Sequence, residues 1–345
     1  MSQLIWYYLN RRQRRRRRDN LFVDRTLFYR INPFDFTDER YVKSFRLSKQ
    51  ATRALISLLF EQLDRKTNGY SVDIQVLASL RLLGSGGFQN LIAESAFTFM
   101  SQASVSRIFE DFITAMMTLV ESFIKFPQGA RETSTAKRKF FEKCGIPNII
   151  GVIDGTHIYI TKPNQPDWNV FLNRNNKFSM NIQIVCSDEM RLLNVVANWP
   201  GGTHDSFIWR YSAIREILQK ENGENFLLGD SGYPLEPWCI TPYSNPRSHY
   251  QERYNDVHRR TRSVVERTIG CLKRRFRLLD LSGGILQYTP QKVCKIVMAA
   301  SVLHNICLDY SVPLPDEPYN LEIPDPLIDP PNSRILLETS IADTV

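Results

Sequence analysis

A chain of 345 residues with 43% hydrophobic side chains is long enough for one large domain and a smaller one, and its composition is ordinary for a soluble globular protein. Its formal net charge of +8 lies wholly ahead of Asp316, because the last segment carries seven acids against one base, Arg334; such a surplus suits a polyanion such as nucleic acid, and also serves solubility. Six cysteines without a CxxC pair or a zinc-spaced Cys/His cluster argue against a structural zinc site or a disulfide scaffold, and no stretch approaches the roughly 20 apolar residues of a membrane span.

Leu4 to Leu9 is too short for a signal-peptide core, and the arginines follow it instead of preceding it, so the protein is expected inside the cell. The run RRQRRRRR, Arg11 to Arg18, cannot pack against itself, since like charges repel and prefer water. Residues 1–47 therefore read as a basic arm and linker, of a kind that serves nuclear import, phosphate binding or no more than solvation. From Ser48 to about Phe126 the pattern is helical. Leu55, Leu58, Leu59 and Leu63, then Val76, Leu77, Leu80 and Leu83, recur at helical spacing and predict buried stripes. Within this helical domain, 48–126, a glycine-rich break, a short helix to about Ala96, a turn and a helix opening near Ser101 are compatible with a helix-turn-helix. In that arrangement Ser101, Gln102, Ser104 and Arg107 face the major groove or nearby phosphates. A plain three-helix bundle gives the same pattern, with Ser101 as a simple N-cap.

After Pro127 the texture changes. The runs IIGVIDGTHIYI, SMNIQIVCSD and LLNVVANWP predict three strands joined as a meander. A helix over about Ser206–Lys220, a short strand in NFLLGD, a proline-rich loop, a long helix over about His249–Leu279 and another from Pro290 to about Asp309 complete residues 149–311. Three strands, a helix, a strand and a carboxylate-bearing helix form an α/β order shared with ribonuclease H-like folds. Residues 312–345, rich in proline and acids without a sustained apolar period, predict a disordered tail.

Asp154 interrupts an apolar strand, where an ionised carboxylate is costly unless paired, protonated or bound to a cation; a strand at the sheet edge is the plain alternative. Asp230 ends the NFLLGD strand, where α/β sheets commonly place their sites, or else satisfies its own loop backbone. Glu266 is the only acid among eight bases between Arg259 and Leu279, at the margin of a stripe of Val265, Ile269, Leu272, Phe276 and Leu279. It either leans toward the aspartates or pairs with Arg262 or Arg259. The three carboxylates supply hard oxygen ligands suited to Mg²⁺ or Mn²⁺, and Arg262, Arg267, Lys273 and Arg274 suit a DNA backbone. Asp205, in GGTHDS, reads equally as a fourth metal ligand or as an N-cap. His157 and His204 flank the acids and read as structural, with contact to substrate or metal as the alternative.

The segments GVIDGTHI, NWPGGTHDS, LGDSGYPL, VVERTIGCLKRRFRLL and VLHN, in that order, resemble the PIF/Harbinger transposases and the nucleases derived from them, over roughly Val72 to Ser311. The resemblance implies Asp154, Asp230 and Glu266 as a catalytic DDE triad, Asp205 as a further metal contact, a helix-turn-helix ahead of the catalytic domain, and hydrolysis of DNA phosphodiesters with a divalent metal. It also implies a Myb-like DNA-binding partner and a nuclear location, with the cytoplasm as a second compartment. The alternative function is a domesticated DNA-binding or adaptor protein that does not cleave. Oligomeric state stays open.

Overall fold

A computed structural model describes residues 32–64, 69–93, 97–98, 100–220 and 224–314. Residues 1–31 with the arginine run, residues 94–96 at the expected end of the short helix, and residues 315–345 of the acidic tail lie outside the described residues.

The helical part comprises α1 (Asp38–Phe45), α2 (Lys49–Asp64), α3 (Val72–Ser85), α4 (Gln89–Ala93) and α5 (Gln102–Met116), with α6 (Gly129–Cys144) leading into the sheet. On α2, Ala51, Leu55, Leu59 and Leu63 are fully buried, whereas Leu58 is 44% exposed. The strict four-residue row forms the contact, and Leu58, one position off it, falls on the outer face. Val76, Leu77, Leu80 and Leu83 of α3 are all buried. α3 ends at Gly86, which has φ +64 and lies so close to Gly283 that a Cβ there would meet its Cα at 2.8 Å, so this crossing needs glycine. Ser101 caps α5, its hydroxyl accepting from the Ser104 N–H, which satisfies a donor the helix leaves open.

The sheet has five strands: β1 (Ile149–Tyr159), β2 (Ser179–Cys186), β3 (Leu192–Pro200), β4 (Phe226–Leu228) and β5 (Cys239–Ile240). Their spatial order is β3-β2-β1-β4-β5. β1, β2 and β3 pair antiparallel as the expected meander, while β4 and β5 join parallel to the other side of β1. β1 is therefore the central strand, but its pairing with β4 ends at Val152, so at Asp154 it is paired to β2 alone.

The expected helix over Ser206–Lys220 is two: α7 (Asp205–Arg210) and α8 (Ala213–Lys220). The chain turns between them at Ser212, whose hydroxyl accepts from the Arg215 N–H at 3.3 Å; serine commonly diverts a helix this way. α9 (His249–Arg275) and α10 (Pro290–Asp309) follow, with Leu278 and Leu279 in a short 3-10 turn after α9. One face of the sheet, with Val152, Ile182 and Ile184, packs with Val265 and Leu272 of α9, with α10, and with the helical part in a continuous core. The other face, with Ile150, Ile153 and Val185, packs with Trp209, Ile214 and Leu218 of α7 and α8. Two covered faces explain why every residue of β2 is buried and why these strands read as apolar runs instead of alternating.

The VLHN motif is a latch. Asn305 accepts from the Leu192 N–H at 2.9 Å and donates to Leu192 O at 2.8 Å and Phe123 O at 2.9 Å, while His304 Nε2 bonds Met190 O at 2.8 Å. α10 is thereby hydrogen-bonded to the start of β3. Among the described residues, no helix is long and apolar enough to cross a membrane.

Candidate active site

Asp154 lies in the middle of the central strand, opposite Ile184 in register. Its Oδ1 accepts from the Gly155 N–H at 2.9 Å, and its Oδ2 takes the Arg262 guanidinium at 3.0 Å. Burial drives this carboxyl up to about 6; Arg262 opposes the rise, and the charges of Asp230 and Glu266 add to it. Three acids from β1, the loop after β4 and α9 thus act on one another electrostatically.

Asp230 follows β4, and its Oδ1 accepts from the Gly232 N–H at 2.9 Å, the local loop contact expected of a turn aspartate. That bond leaves the carboxylate within reach of its neighbours: a Cβ on Gly232 would stand 3.0 Å from Asp230 Oδ1 and 3.9 Å from Asp205 Oδ2. Asp205 is the first residue of α7, with His204 in the capping position, so the N-cap reading of Asp205 is not what the chain does. Its Oδ1 accepts instead from Asn181 Nδ2 at 2.8 Å, and Asn181 also donates to Thr203 O at 2.9 Å. A Cβ on Gly155 would meet Asp205 Oδ1 at 2.5 Å, so the glycine after Asp154 makes room for the second acid. Buried Tyr233 lies among the same groups: burial raises its hydroxyl well above the ordinary value, and Asp205, Asp154 and Asp230 add to that rise.

Glu266 is exposed at the margin of the α9 stripe and pairs with Arg262, one turn before it. One guanidinium thus bridges Asp154 and Glu266. Among the described residues, no three His, Cys, Asp or Glu side chains already converge as a cation cage. The donors present fit a hard divalent cation nonetheless: they are all carboxylates, and the mutual repulsion of Asp154 and Asp230 is the strain a cation relieves.

The basic residues of α9 divide. Arg267 and Arg274 are half-buried. Lys273 is turned inward, donating to Thr156 Oγ1 at 2.7 Å and to His157 O at 3.0 Å, and burial lowers its ammonium; it anchors α9 to β1. His157 bonds Ser179 Oγ at 3.1 Å, and burial pulls its imidazole down against the raising effect of Asp205. In the helical part, Ser101, Gln102 and Arg107 are exposed and Ser104 is half-buried. Gln102 Nε2 donates to Gln89 Oε1 at 2.7 Å, joining α5 to α4. Asn181 was not singled out from sequence, although an amide within the apolar run SMNIQIV raises the same burial question as Asp154.

A family model described as DDE superfamily endonuclease matches residues 153–305. "Putative nuclease HARBI1" of Mus musculus is 35% identical over 306 residues, covering 87% of this chain and 85% of the relative. The human protein of that name is 35% identical over 282 residues, with 81% and 80% covered. "Protein ALP1-like" of Arabidopsis thaliana is 32% identical over 263 residues, with 71% and 63% covered. The chain belongs to the DDE endonuclease superfamily, and within it to the Harbinger-derived group of the HARBI1 nucleases and ALP1-like proteins. No solved structure matches it.

Proposed function

We propose that the chain is a transposase-derived nuclease with a ribonuclease H-like catalytic domain, in which Asp154, Asp230 and Glu266 form the catalytic triad and Asp205 assists them. The observation that supports this most is geometric: Arg262 contacts both Asp154 and Glu266, while Asp205 lies against Gly155 and, with Asp230, against Gly232, so that acids far apart in the chain share one site. The strand order β3-β2-β1-β4-β5 and membership of the DDE endonuclease superfamily agree with it.

Hydrolysis adds water across one P–O bond of DNA, leaving a hydroxyl on one strand end and a phosphate on the other. Asp154, Asp230 and Glu266, with Asp205, would hold Mg²⁺ or Mn²⁺, which when bound activates the attacking water and stabilises the leaving oxygen. Asn181 orients Asp205, and Gly155 leaves it space. Arg262, Arg267 and Arg274 of α9 would meet the phosphate backbone, whereas Lys273, bonded to Thr156 and His157, would not. The α4–turn–α5 segment serves as a helix-turn-helix whose Ser101, Gln102, Ser104 and Arg107 contact DNA. A Myb-like partner supplies further DNA recognition, and the protein works in the nucleus.

Purified protein should nick supercoiled plasmid with Mg²⁺ or Mn²⁺ and lose this activity in EDTA and in Asp230→Asn and Glu266→Gln variants of unchanged fold stability. One observation favours a second reading, a DNA-binding protein that does not cleave: Arg262 already pairs with both Asp154 and Glu266. Absence of nicking under every condition, with the partner present, would establish that reading instead.

A further inference from the structure

Three aromatic side chains beside Asp205 belong to neither hydrophobic core. Trp199, near the end of β3, stands edge-on to Phe207 of α7 with centroids 5.4 Å apart; Phe207 lies 4.8 Å from Tyr211, and Trp199 lies 6.4 Å from Tyr211. Phe207 is 42% exposed and Tyr211 62%. The contrast is Trp209 on the same helix, which is fully buried and donates its Nε1–H to Glu236 at 2.9 Å. One aromatic of α7 therefore packs the fold, while its neighbours Phe207 and Tyr211 stay on the surface, clustered with Trp199; clustered exposed aromatics mark binding surfaces more often than scattered ones.

The cluster is built onto the carboxylate site. Trp199 is the register partner of Asn181, the residue that holds Asp205, and Phe207 is two positions beyond Asp205 on α7. Cations lie on the same helix and on the loop bonded to the turn after Trp199, Lys177 with its Nζ 5.6 Å from the Tyr159 ring centroid. Arg210 is exposed between Phe207 and Tyr211, and Arg174 and Lys177 are exposed on the neighbouring loop, Arg174 close enough to His157 to lower its imidazole. That loop is tied to the turn after Trp199 by the Gly202 N–H bond to Val170 O at 2.9 Å, and it carries Trp168 with Lys162 Nζ 3.8 Å from the ring centroid. Exposed aromatic faces interleaved with lysine and arginine are the chemistry that holds single nucleic-acid strands: rings stack on bases and cations follow the phosphates. A fully paired duplex offers no free base face to stack on.

We infer that Trp199, Phe207 and Tyr211 form a stacking platform for an unpaired base of the DNA strand entering the carboxylate site, with Arg210, Arg174 and Lys177 on its phosphates. The inference rests on the nuclease reading for its substrate class and adds a preference within it: DNA that is frayed, flapped or distorted next to the cut.

The test uses the full chain in EDTA, where binding is read without cleavage, and two probes of equal length, a fully paired duplex and a duplex with an unpaired 2-aminopurine nucleotide. Wild-type protein should quench the 2-aminopurine and bind the frayed probe more tightly. Phe207→Ala and Tyr211→Ala should lose the quench and weaken binding to the frayed probe by about tenfold, leaving the paired probe unchanged; Tyr211→Phe should retain both. Phe207→Leu, which keeps apolar bulk without a ring, controls for loss of fold and should behave as Phe207→Ala does. Equal behaviour of variants and wild type on both probes, or no binding of either probe, overturns the platform. So does a shift from dimer to monomer in the variants with quenching intact, which assigns the face to a second copy of the chain. Quenching that depends on Phe207 and Tyr211 in a protein that never nicks plasmid would sink the nuclease reading and leave the platform standing.

Discussion

Asp154→Asn is expected to stabilise the cation-free protein while abolishing cleavage. The wild-type carboxyl is 16% exposed, and burial raises its pKa from 3.8 to about 6, even with Arg262 alongside. The sign is opposite to that of an ordinary aspartate: the folded state holds the proton more tightly than the unfolded state, so ionisation disfavours the fold, and stability falls as pH rises between the two values. At about 1.4 kcal/mol per tenfold change in proton affinity, the penalty is about 3 kcal/mol at pH 7, about half that at pH 5 and small at pH 4. Asparagine carries no charge and retains an oxygen for the Gly155 N–H. Thermal unfolding in EDTA should therefore show a gain on the order of 5 °C at pH 7, shrinking toward pH 4. Mn²⁺ at about 1,000 times its Kd for the wild type contributes about 4.1 kcal/mol, more than the penalty, and should reverse the order, because only the wild type keeps its full ligand set. A variant less stable than wild type at pH 7 in EDTA, or a gain independent of pH, would refute the account of a strained carboxylate.

Arg262→Gln removes the guanidinium that now pairs with both Asp154 and Glu266, and titration calorimetry at pH 8 should show Mn²⁺ bound about tenfold more tightly, the scale of one partly exposed ion pair; weaker binding would mean that Arg262 builds the site instead of competing for it. Gly155→Ala puts a methyl 2.5 Å from Asp205 Oδ1, so plasmid nicking should fall by about 100-fold, with circular dichroism unchanged; full activity would remove Asp205 from the site. His304 is buried with its imidazole lowered to about 4, below the unfolded value, so its contribution is present above about pH 6.5 and is lost as pH falls toward 4. His304→Gln should flatten the dependence of the urea midpoint on pH in that window by up to about 1.4 kcal/mol per pH unit, and parallel curves for the two proteins would exclude the histidine as the acid-sensitive group.

The acids were legible because each breaks a local pattern: Asp154 in an apolar strand, Asp230 at a strand end, Glu266 alone among bases. The meander, β4, α9 and α10 were legible for the same local reason, as apolar runs and helical stripes punctuated by glycine and proline. What escaped the sequence depends on contacts between distant segments. Leu58 and Leu59 are equally apolar, and only the position of α3 and α5 decides which one is covered. The break at Ser212 and the inward turn of Lys273 toward Thr156 are likewise tertiary choices, since neither residue type excludes a regular helix or a solvent-facing lysine.

Arg262 is the most instructive of these. By sequence it is one of eight bases on a basic helix, a candidate partner, with Arg259, for Glu266 but not for Asp154. In the fold it is the one whose guanidinium bridges Asp154 and Glu266, because it stands one turn before Glu266 on the face of α9 that meets β1. The remaining partners of the acids are neutral: the Gly155 and Gly232 N–H groups and the Asn181 amide. Neutral donors orient a carboxylate and leave most of its charge in place, whereas a guanidinium cancels it. Among the described residues the site therefore combines neutral donors on Asp205 and Asp230 with one guanidinium counter-charge on Asp154 and Glu266, and a cation bridging those last two acids must displace Arg262 from them.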